Sequence, residues 1–378
     1  MHIVHLLSNY KWTERSEPVV DLVLGQRKLG AESTLLCGKS RMALEDSIAY
    51  QSRRRGLDPV LLELPKHFRW RKVVPDIIRM RRLLRANPAE ILHCHMPNAH
   101  LTAALCVKGI SPKPLVVNSL YDPGDPNDDF RFRRICLPGT DGFITISDDG
   151  ARRLMDLFGV DAERIEVIEP SIDLKRFGDP GVERKRRMFA LREDDFVVGM
   201  VSAFGPRRRI DITLRAVKLL AARIPELKCL LIGRGKVWDM IEKPAMELGI
   251  SDRIILGGYC RDKRLVSAYR AMDLLAYPMP GTDKSCRTVR EAMASGLPVI
   301  AARTGFLPQL LKDGVTGRLV GLSPESMAEA IESLYRDREK LLNIGRNAMA
   351  EARERFSPSL QAERTMEFYS RLREMGGQ

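Results

Sequence analysis

Short apolar runs alternate with segments of helical period along nearly the whole chain, and they do so in two series. His2 to Leu7, Ser33 to Cys37, Pro59 to Leu64, Ile91 to His95, Leu115 to Leu120 and Gly142 to Ser147 form the first. Phe196 to Ser202, Lys228 to Ile232, Arg253 to Gly257, Leu274 to Tyr277, Pro298 to Ala302 and Arg318 to Val320 form the second. Runs this short and this continuously apolar, spaced by amphipathic helices, imply parallel strands covered on both faces by crossover helices. The expected fold is therefore α/β, with two Rossmann-like doubly wound parallel-sheet domains. At 378 residues the chain can fill a separate core in each. A polar, glycine-bearing segment separates the series, which sets the expected domains at 1–175 and 188–355, a linker at 176–187 and a C-terminal helix at 356–378.

Composition removes several classes of protein. No apolar run reaches the roughly 18 residues of a membrane span, and the start, MHIVHLLSNYKW, enters a strand pattern without the features of a signal peptide. A cytoplasmic location is expected. Seven cysteines, an odd number with no CxxC pair, fit neither a disulfide framework nor a structural zinc site. The net charge of +13 calls for an anionic partner: nucleic acid, anionic membrane or glycolipid, or a sugar nucleotide. Aromatic residues make up only 6% of the chain and no nucleic-acid fingerprint occurs, so stacking platforms for nucleic acid are poorly supplied and no nucleic-acid partner is expected.

The stretch Tyr277 to Ala302, YPMPGTDKSCRTVREAMASGLPVIAA, carries the most specific chemistry. It reads as a strand end, a loop broken by Pro278, Pro280 and Gly281, a helix around Arg290 to Ala294, and a second strand after Gly296 and Pro298. Asp283 and Glu291 bracket the helix start. Backbone N–H groups of Lys284, Ser285 and Cys286 are placed to bind an anion, favoured by the helix dipole. A carboxylate at each end of a phosphate cradle suits a sugar nucleotide: one acid for sugar hydroxyls, the other for ribose, and the N–H groups for the diphosphate.

Those two acids, followed by Ala292, Met293, Ala294, Ser295, Gly296, Leu297, Pro298 and Val299, resemble the signature of retaining glycosyltransferase family 4, of GT-B fold (glycosyl transferases group 1). The resemblance is detailed from about Asp141 onward and architectural before it. It implies an acceptor-binding first domain, a nucleotide-sugar-binding second domain facing it across a cleft, and a final helix crossing back to the first. It also implies a metal-independent enzyme with no cofactor, moving a sugar from a nucleotide diphosphate sugar to a hydroxyl of a saccharide or lipid-linked acceptor. Cell-envelope polysaccharide or lipopolysaccharide biosynthesis is the commonest setting.

Residue by residue, the resemblance assigns ribose to Glu291 and sugar hydroxyls to Asp283, where Glu is usual. In Val201 to Ala216 the family's diphosphate-gripping Arg and Lys correspond to Ala203 and Arg208, with Arg207 and Arg209 flanking. Arg208 can replace Lys as a bidentate phosphate ligand. Gly233, in a Gly-x-Gly, and the strand end Leu256 to Tyr259, with Gly257 and Tyr259, complete the expected donor-binding set. Phe306 and Gln309 stand where Gly and Glu are usual. The first loop, Ser8 to Arg15, lacks the family's glycines; its Trp12 and Tyr10 are candidate acceptor contacts, with simple packing the alternative. The cleft histidine of the family is absent at Asn118 to Asp122, which leaves His95 and Asp122 as substitutes.

Two further features lie in the first domain. Lys66 to Arg85 holds eight Lys or Arg against one acid, Asp76, with Phe68 and Trp70 among them. A helix starting near Pro75 is expected to bury Ile77, Ile78, Met80, Leu83 and Leu84. Arg69, Trp70, Arg71 and Lys72 resemble the surface with which several enzymes of the family touch anionic lipid, and contact with the inner face of the cytoplasmic membrane is the corresponding expectation; the alternative is a solvated helix face. His93 and His95 fall on one strand face, with His100 following, but no carboxylate lies nearby and no metal site is expected. Two other functions remain open on the sequence: a catalytically degenerate nucleotide-sugar-binding or partner-activating protein, suggested by Ala203 and the missing histidine, and a basic nucleic-acid-binding protein.

Overall fold

The computed structural model describes residues 1–13, 15–40, 45–122, 124–179, 186–279 and 286–376. They form two compact units, Met1–Ser171 with Pro358–Gln378, and Ile172–Ser357. The boundary falls at Ser171, a little before the expected one, because the Ile172 N–H already bonds to the Phe356 carbonyl at 2.9 Å and Ile172 and Phe177 belong to the second unit's core.

The first unit is a seven-stranded parallel sheet in the order β3-β2-β1-β4-β5-β6-β7. Its strands are β1 (His2–Leu7), β2 (Glu32–Gly38), β3 (Val60–Leu62), β4 (Ile91–Cys94), β5 (Leu115–Leu120), β6 (Gly142–Thr145) and β7 (Ile165–Val167). The crossovers are α1 (Ser16–Lys28), α2 (Ile48–Arg54), α3 (Trp70–Ala86), α4 (Pro97–Cys106) and α5 (Asp148–Phe158). Every residue of β4 and β6 is buried, as strands covered on both faces require. The caps follow local chemistry: Ser147 accepts from the Gly150 N–H to start α5, and Gly159 closes it in the left-handed region.

The basic helix differs from expectation. It begins at Trp70 rather than near Pro75, and it buries Val73, Asp76, Met80 and Leu84, while Ile78 and Leu83 are 47% and 43% exposed. Asp76 faces inward because its carboxylate accepts the Glu63 and Leu64 N–H groups at 2.9 and 2.7 Å, past the end of β3. Satisfying those two backbone donors rotates the helix and brings part of its apolar stripe to the surface.

The second unit is a six-stranded parallel sheet in the order β10-β9-β8-β11-β12-β13. Its strands are β8 (Phe196–Phe204), β9 (Leu227–Gly235), β10 (Ile254–Gly258), β11 (Leu274–Tyr277), β12 (Val299–Ala302) and β13 (Arg318–Val320). Its helices are α6 (Leu174–Phe177), α7 (Ile210–Leu220), α8 (Lys243–Leu248), α9 (Asp262–Ala271), α10 (Arg287–Ala294), α11 (Leu307–Leu310), α12 (Pro324–Arg336) and α13 (Arg338–Arg355). Within the expected linker, Arg186 is a fully buried cation that donates to the Arg192, Glu193 and Asp195 carbonyls and pairs with Asp273 at 2.7 Å. Residues 180–185 of that linker lie outside the described residues.

The last helix, α14 (Pro358–Gly376), belongs to the first unit. Phe368, Tyr369 and Leu372 pack with Ile3, Ile91, Val117 and Ile144 against the sheet. The approach is close at β6, where a Cβ on Gly142 would overlap Leu372 and Phe368. Gly142→Ala is therefore expected to destabilise the first unit by about 1–3 kcal/mol. Denaturant unfolding should show Leu372→Ala costing less in the Gly142→Ala background than in the natural chain.

Candidate functional site

In an open parallel sheet, ligands bind outside the carboxyl ends of the strands where the strand order reverses. In the second unit that point lies between β8 and β11. Four parts of the sequence meet there. The exit of β8 runs from Ser202 through Arg207, Arg208 and Arg209 into α7. Arg208, half-buried, points Nη1 at the Met279 sulfur, 3.3 Å away beyond the end of β11. Arg209 is left-handed at φ 49° and pairs with Asp211 at 3.3 Å. The first turn of α10 closes on the same strand end, with the Thr288 hydroxyl donating to the Val201 carbonyl at 3.4 Å.

α10 begins at Arg287, one turn earlier than the sequence suggests, with Cys286 as its left-handed N-cap at φ 42°. Cys286 is fully buried in the apolar core. Asp283, Lys284 and Ser285 lie outside the described residues.

Glu291 sits on the second turn of α10, 5% exposed. One oxygen accepts from Arg287 Nε at 2.6 Å, the other from the Tyr269 hydroxyl at 2.8 Å. A carboxylate has about four lone-pair directions, so each oxygen keeps capacity for a further donor while the pair fixes its orientation. Burial and the Glu291 charge push the Tyr269 phenol well above its usual range, so it remains the donor. Sequence reasoning did not find Tyr269 or Arg287; the i,i+4 spacing of Arg287 and Glu291 was the available signal.

The neighbouring strands shape the rest of the rim. β9 stays paired with β8 through Gly235 instead of ending before the Gly-x-Gly. Gly233 and Gly235, at φ 152° and 147°, allow this because a Cβ on either would overlap the Ser202 or Phe204 carbonyl. Gly257 is buried against Ile232 and Phe189. Tyr259 is half-exposed, with the guanidinium groups of Arg234 and Arg261 over its ring at 4.5 and 4.9 Å. Phe306 is buried and covers the Arg290 guanidinium at 5.4 Å.

In the first unit the order reverses between β1 and β4, and there the structure assembles a group that sequence showed only in part. His5 of β1 pairs in register with His93 of β4, and His95 follows one step on. All three rings are fully buried. His95 Nε2 and His5 Nδ1 lie 2.9 Å apart; His5 Nε2 donates to Gln26 Oε1 at 2.7 Å, and the Tyr121 hydroxyl lies 2.8 Å from His95 Nδ1. His93 meets Ser119 at 2.7 Å and Tyr369 of α14 at 2.6 Å. Among the described residues this trio is the group whose ligating atoms come close enough to hold a cation, within 4.8 Å, yet all six ring nitrogens are engaged by protein groups. His95 therefore does not present a free nitrogen to a substrate. His100 is bonded to Thr140 at 2.5 Å in a separate apolar site. Asp122, half-buried just past β5, accepts from the Gly124 N–H at 3.2 Å.

Trp12, a candidate acceptor contact, packs against the core beneath α1 with Arg55 over its ring at 4.6 Å. The surface group stands differently: Trp70 is 63% exposed with Arg71 over its ring, Arg69 is exposed, and Lys72 turns back to Glu63 at 2.7 Å. No described helix is long and apolar enough to cross a membrane.

Two parallel-sheet α/β units, each reversing its strand order at a central crevice, are the architecture of the GT-B class, and solved structures agree. A glycosyltransferase from Rickettsia africae matches with a TM-score of 0.83 at 15% identity, covering 98% of both chains, and Anabaena HepE in complex with UDP with 0.80 at 19%, covering 98% of this chain and 100% of that one. A family model described as Glycosyl transferases group 1 matches residues 181–351 and one described as Glycosyltransferase Family 4 matches residues 19–176; the chain belongs to this family. Among curated relatives, D-inositol 3-phosphate glycosyltransferase of Nocardia farcinica is 34% identical over 239 residues, 61% of this chain. The match spans about half, 52%, of that protein's length.

Burial holds the trio neutral. Burial lowers His5 to about 4 against the opposing Gln26 hydrogen bond, and His93 and His95 lie well below 6.5, burial acting first and neighbouring histidines second. An unfolded chain takes up protons near pH 6.5 that the folded one refuses, so this stability is fully present above that pH and lost as pH falls toward 4. The urea midpoint of the first unit should decline across that window, and His5→Gln should flatten part of the decline.

Proposed function

We propose that this chain is a glycosyltransferase that moves a sugar from a nucleotide diphosphate sugar to a hydroxyl acceptor, with retention at the anomeric carbon and without a metal. The observation that carries the reading is the convergence, at the β8/β11 switch point, of a buried and oriented Glu291, the half-buried Arg208 and the start of α10. Glu291 holds the ribose hydroxyls through its remaining lone pairs. Arg208, with Arg207 and Arg209 beside it, neutralises the departing diphosphate, and the backbone at Lys284 to Cys286 completes the cradle. Asp283 takes the sugar hydroxyls. Fixed positive charge in place before the bond breaks stabilises the leaving group without reorganisation. Ala203 removes one cation usual in the family, and the three arginines supply charge in its place.

The acceptor is a saccharide or lipid-linked molecule of the cell envelope, and the exposed Arg69, Trp70 and Arg71 meet anionic lipid on the cytoplasmic side. Supporting this, Trp70, Val74 and Ile78 stand exposed at helical spacing among exposed arginines on α3. Each basic group near an anionic surface contributes about 1 kcal/mol.

Nucleotide binding tests the first reading, and the UDP bound by the Anabaena neighbour makes UDP the first ligand to try, with GDP, ADP and CMP beside it. Calorimetry should show saturable binding of one nucleotide, weakened at least about tenfold, or 1.4 kcal/mol, in Glu291→Ala and less in Tyr269→Phe. Undiminished affinity in Glu291→Ala would defeat the ribose assignment. For the surface, co-sedimentation with phosphatidylglycerol vesicles should fall in Trp70→Ala and with added salt; equal recovery of both proteins would sink the lipid contact.

A further inference from the structure

Arg15 ends the loop after β1 and is the N-cap of α1. It is 8% exposed, its Nη2 atom is buried with no hydrogen-bond partner, and no described residue forms an ion pair or hydrogen bond with its guanidinium. Its one close neighbour of note is the Tyr121 ring, 5.8 Å from the guanidinium carbon. The nearest acid along α1, Glu17, is already held by Arg55 at 2.6 Å. A guanidinium cannot shed its proton to escape burial, and a buried charge without a partner is among the costlier things a fold can contain. Its position adds to the cost: α1 has 13 residues and no side-chain cap, so a cation stands where the helix dipole already concentrates positive charge.

We propose that Arg15, at the exit of β1, is a binding site for a phosphate-type oxyanion carried by the acceptor. The planar fork of Arg matches two oxygens of a phosphate, and the buried, unpartnered Nη2 of Arg15 is the donor left to meet one. Tyr121 fixes the fork from below, its own hydroxyl held by His95. The site stands at the carboxyl end of the first unit's sheet, between the exits of β1 and β5, whereas the cations for the donor diphosphate lie in the second unit. Assigning the anion to the acceptor rests on the glycosyltransferase reading; the anion site itself does not.

The test uses inorganic phosphate and UDP as separate probes on the full chain, read by calorimetry and thermal shift. Phosphate should bind the natural protein and Arg208→Met, and should bind Arg15→Met at least tenfold more weakly, while UDP affinity in Arg15→Met changes less than twofold. Without anion, Arg15→Met should melt no lower than the natural protein. Tyr121→Phe keeps the ring and should keep phosphate binding, and Arg15→Lys, which keeps the charge but loses the fork, should weaken it. Phosphate binding that is absent, or equal in Arg15→Met, overturns the site. A tenfold loss of UDP affinity in Arg15→Met assigns the anion to the donor and overturns the acceptor. Failure of UDP to bind any form would count against the glycosyltransferase reading and leave the phosphate result standing.

Discussion

A parallel sheet can be dry on both faces only if its crossover helices fall on both sides, and this requires the chain to start near the middle and wind outward in two directions. The two strands at the start are then followed by helices on opposite faces, and no crossover covers the gap at their carboxyl ends. Both units obey this constraint, between β1 and β4 in one and between β8 and β11 in the other. The cations, carboxylate and helix starts described above sit at those gaps.

The two gaps are furnished differently. In the second unit the polar groups face outward from a helix and a loop, and the buried carboxylate of Glu291 is oriented by two partners yet keeps acceptor capacity. In the first unit the trio of histidines lies behind the gap and is wholly satisfied, binding β1, β4, β5 and α14 into one hydrogen-bonded core. Such a network is stable when complete and costly when one member is charged or lost. Arg15 is its opposite: a buried polar group at the edge of the same region that the protein leaves unmatched.

Much of the fold was legible in the sequence because strands buried on both faces are continuously apolar, which no solvent-facing strand can be. The Glu291 region was legible because a short loop, a helix start and two acids are local features. Less legible were features set by tertiary partners. Pro75 reads as a helix start, but the inward turn of Asp76 toward backbone donors of another segment set the helix phase. His93 and His95 declared themselves by alternation; His5 joined them only because the crossover makes β1 and β4 neighbours. The Gly-x-Gly reads as following its strand, whereas its glycines lie within the β8–β9 pairing and allow the close approach. The lack of a partner for Arg15 is a property of everything around it, and no local pattern carries it.

The hydrogen bond from Ile172 to Phe356 has a consequence for how the molecule is made. It closes the second unit on itself, so everything between those residues can mature as soon as it leaves the ribosome. The first unit, although synthesised earlier, lacks Phe368, Tyr369 and Leu372 until the final helix emerges. The nascent chain must therefore carry an unfinished amino-terminal half, with part of one face of its sheet uncovered, through the synthesis of a complete domain. The part that is made earlier waits on a part made later, and a chain cut before Pro358 would lose core from its first unit.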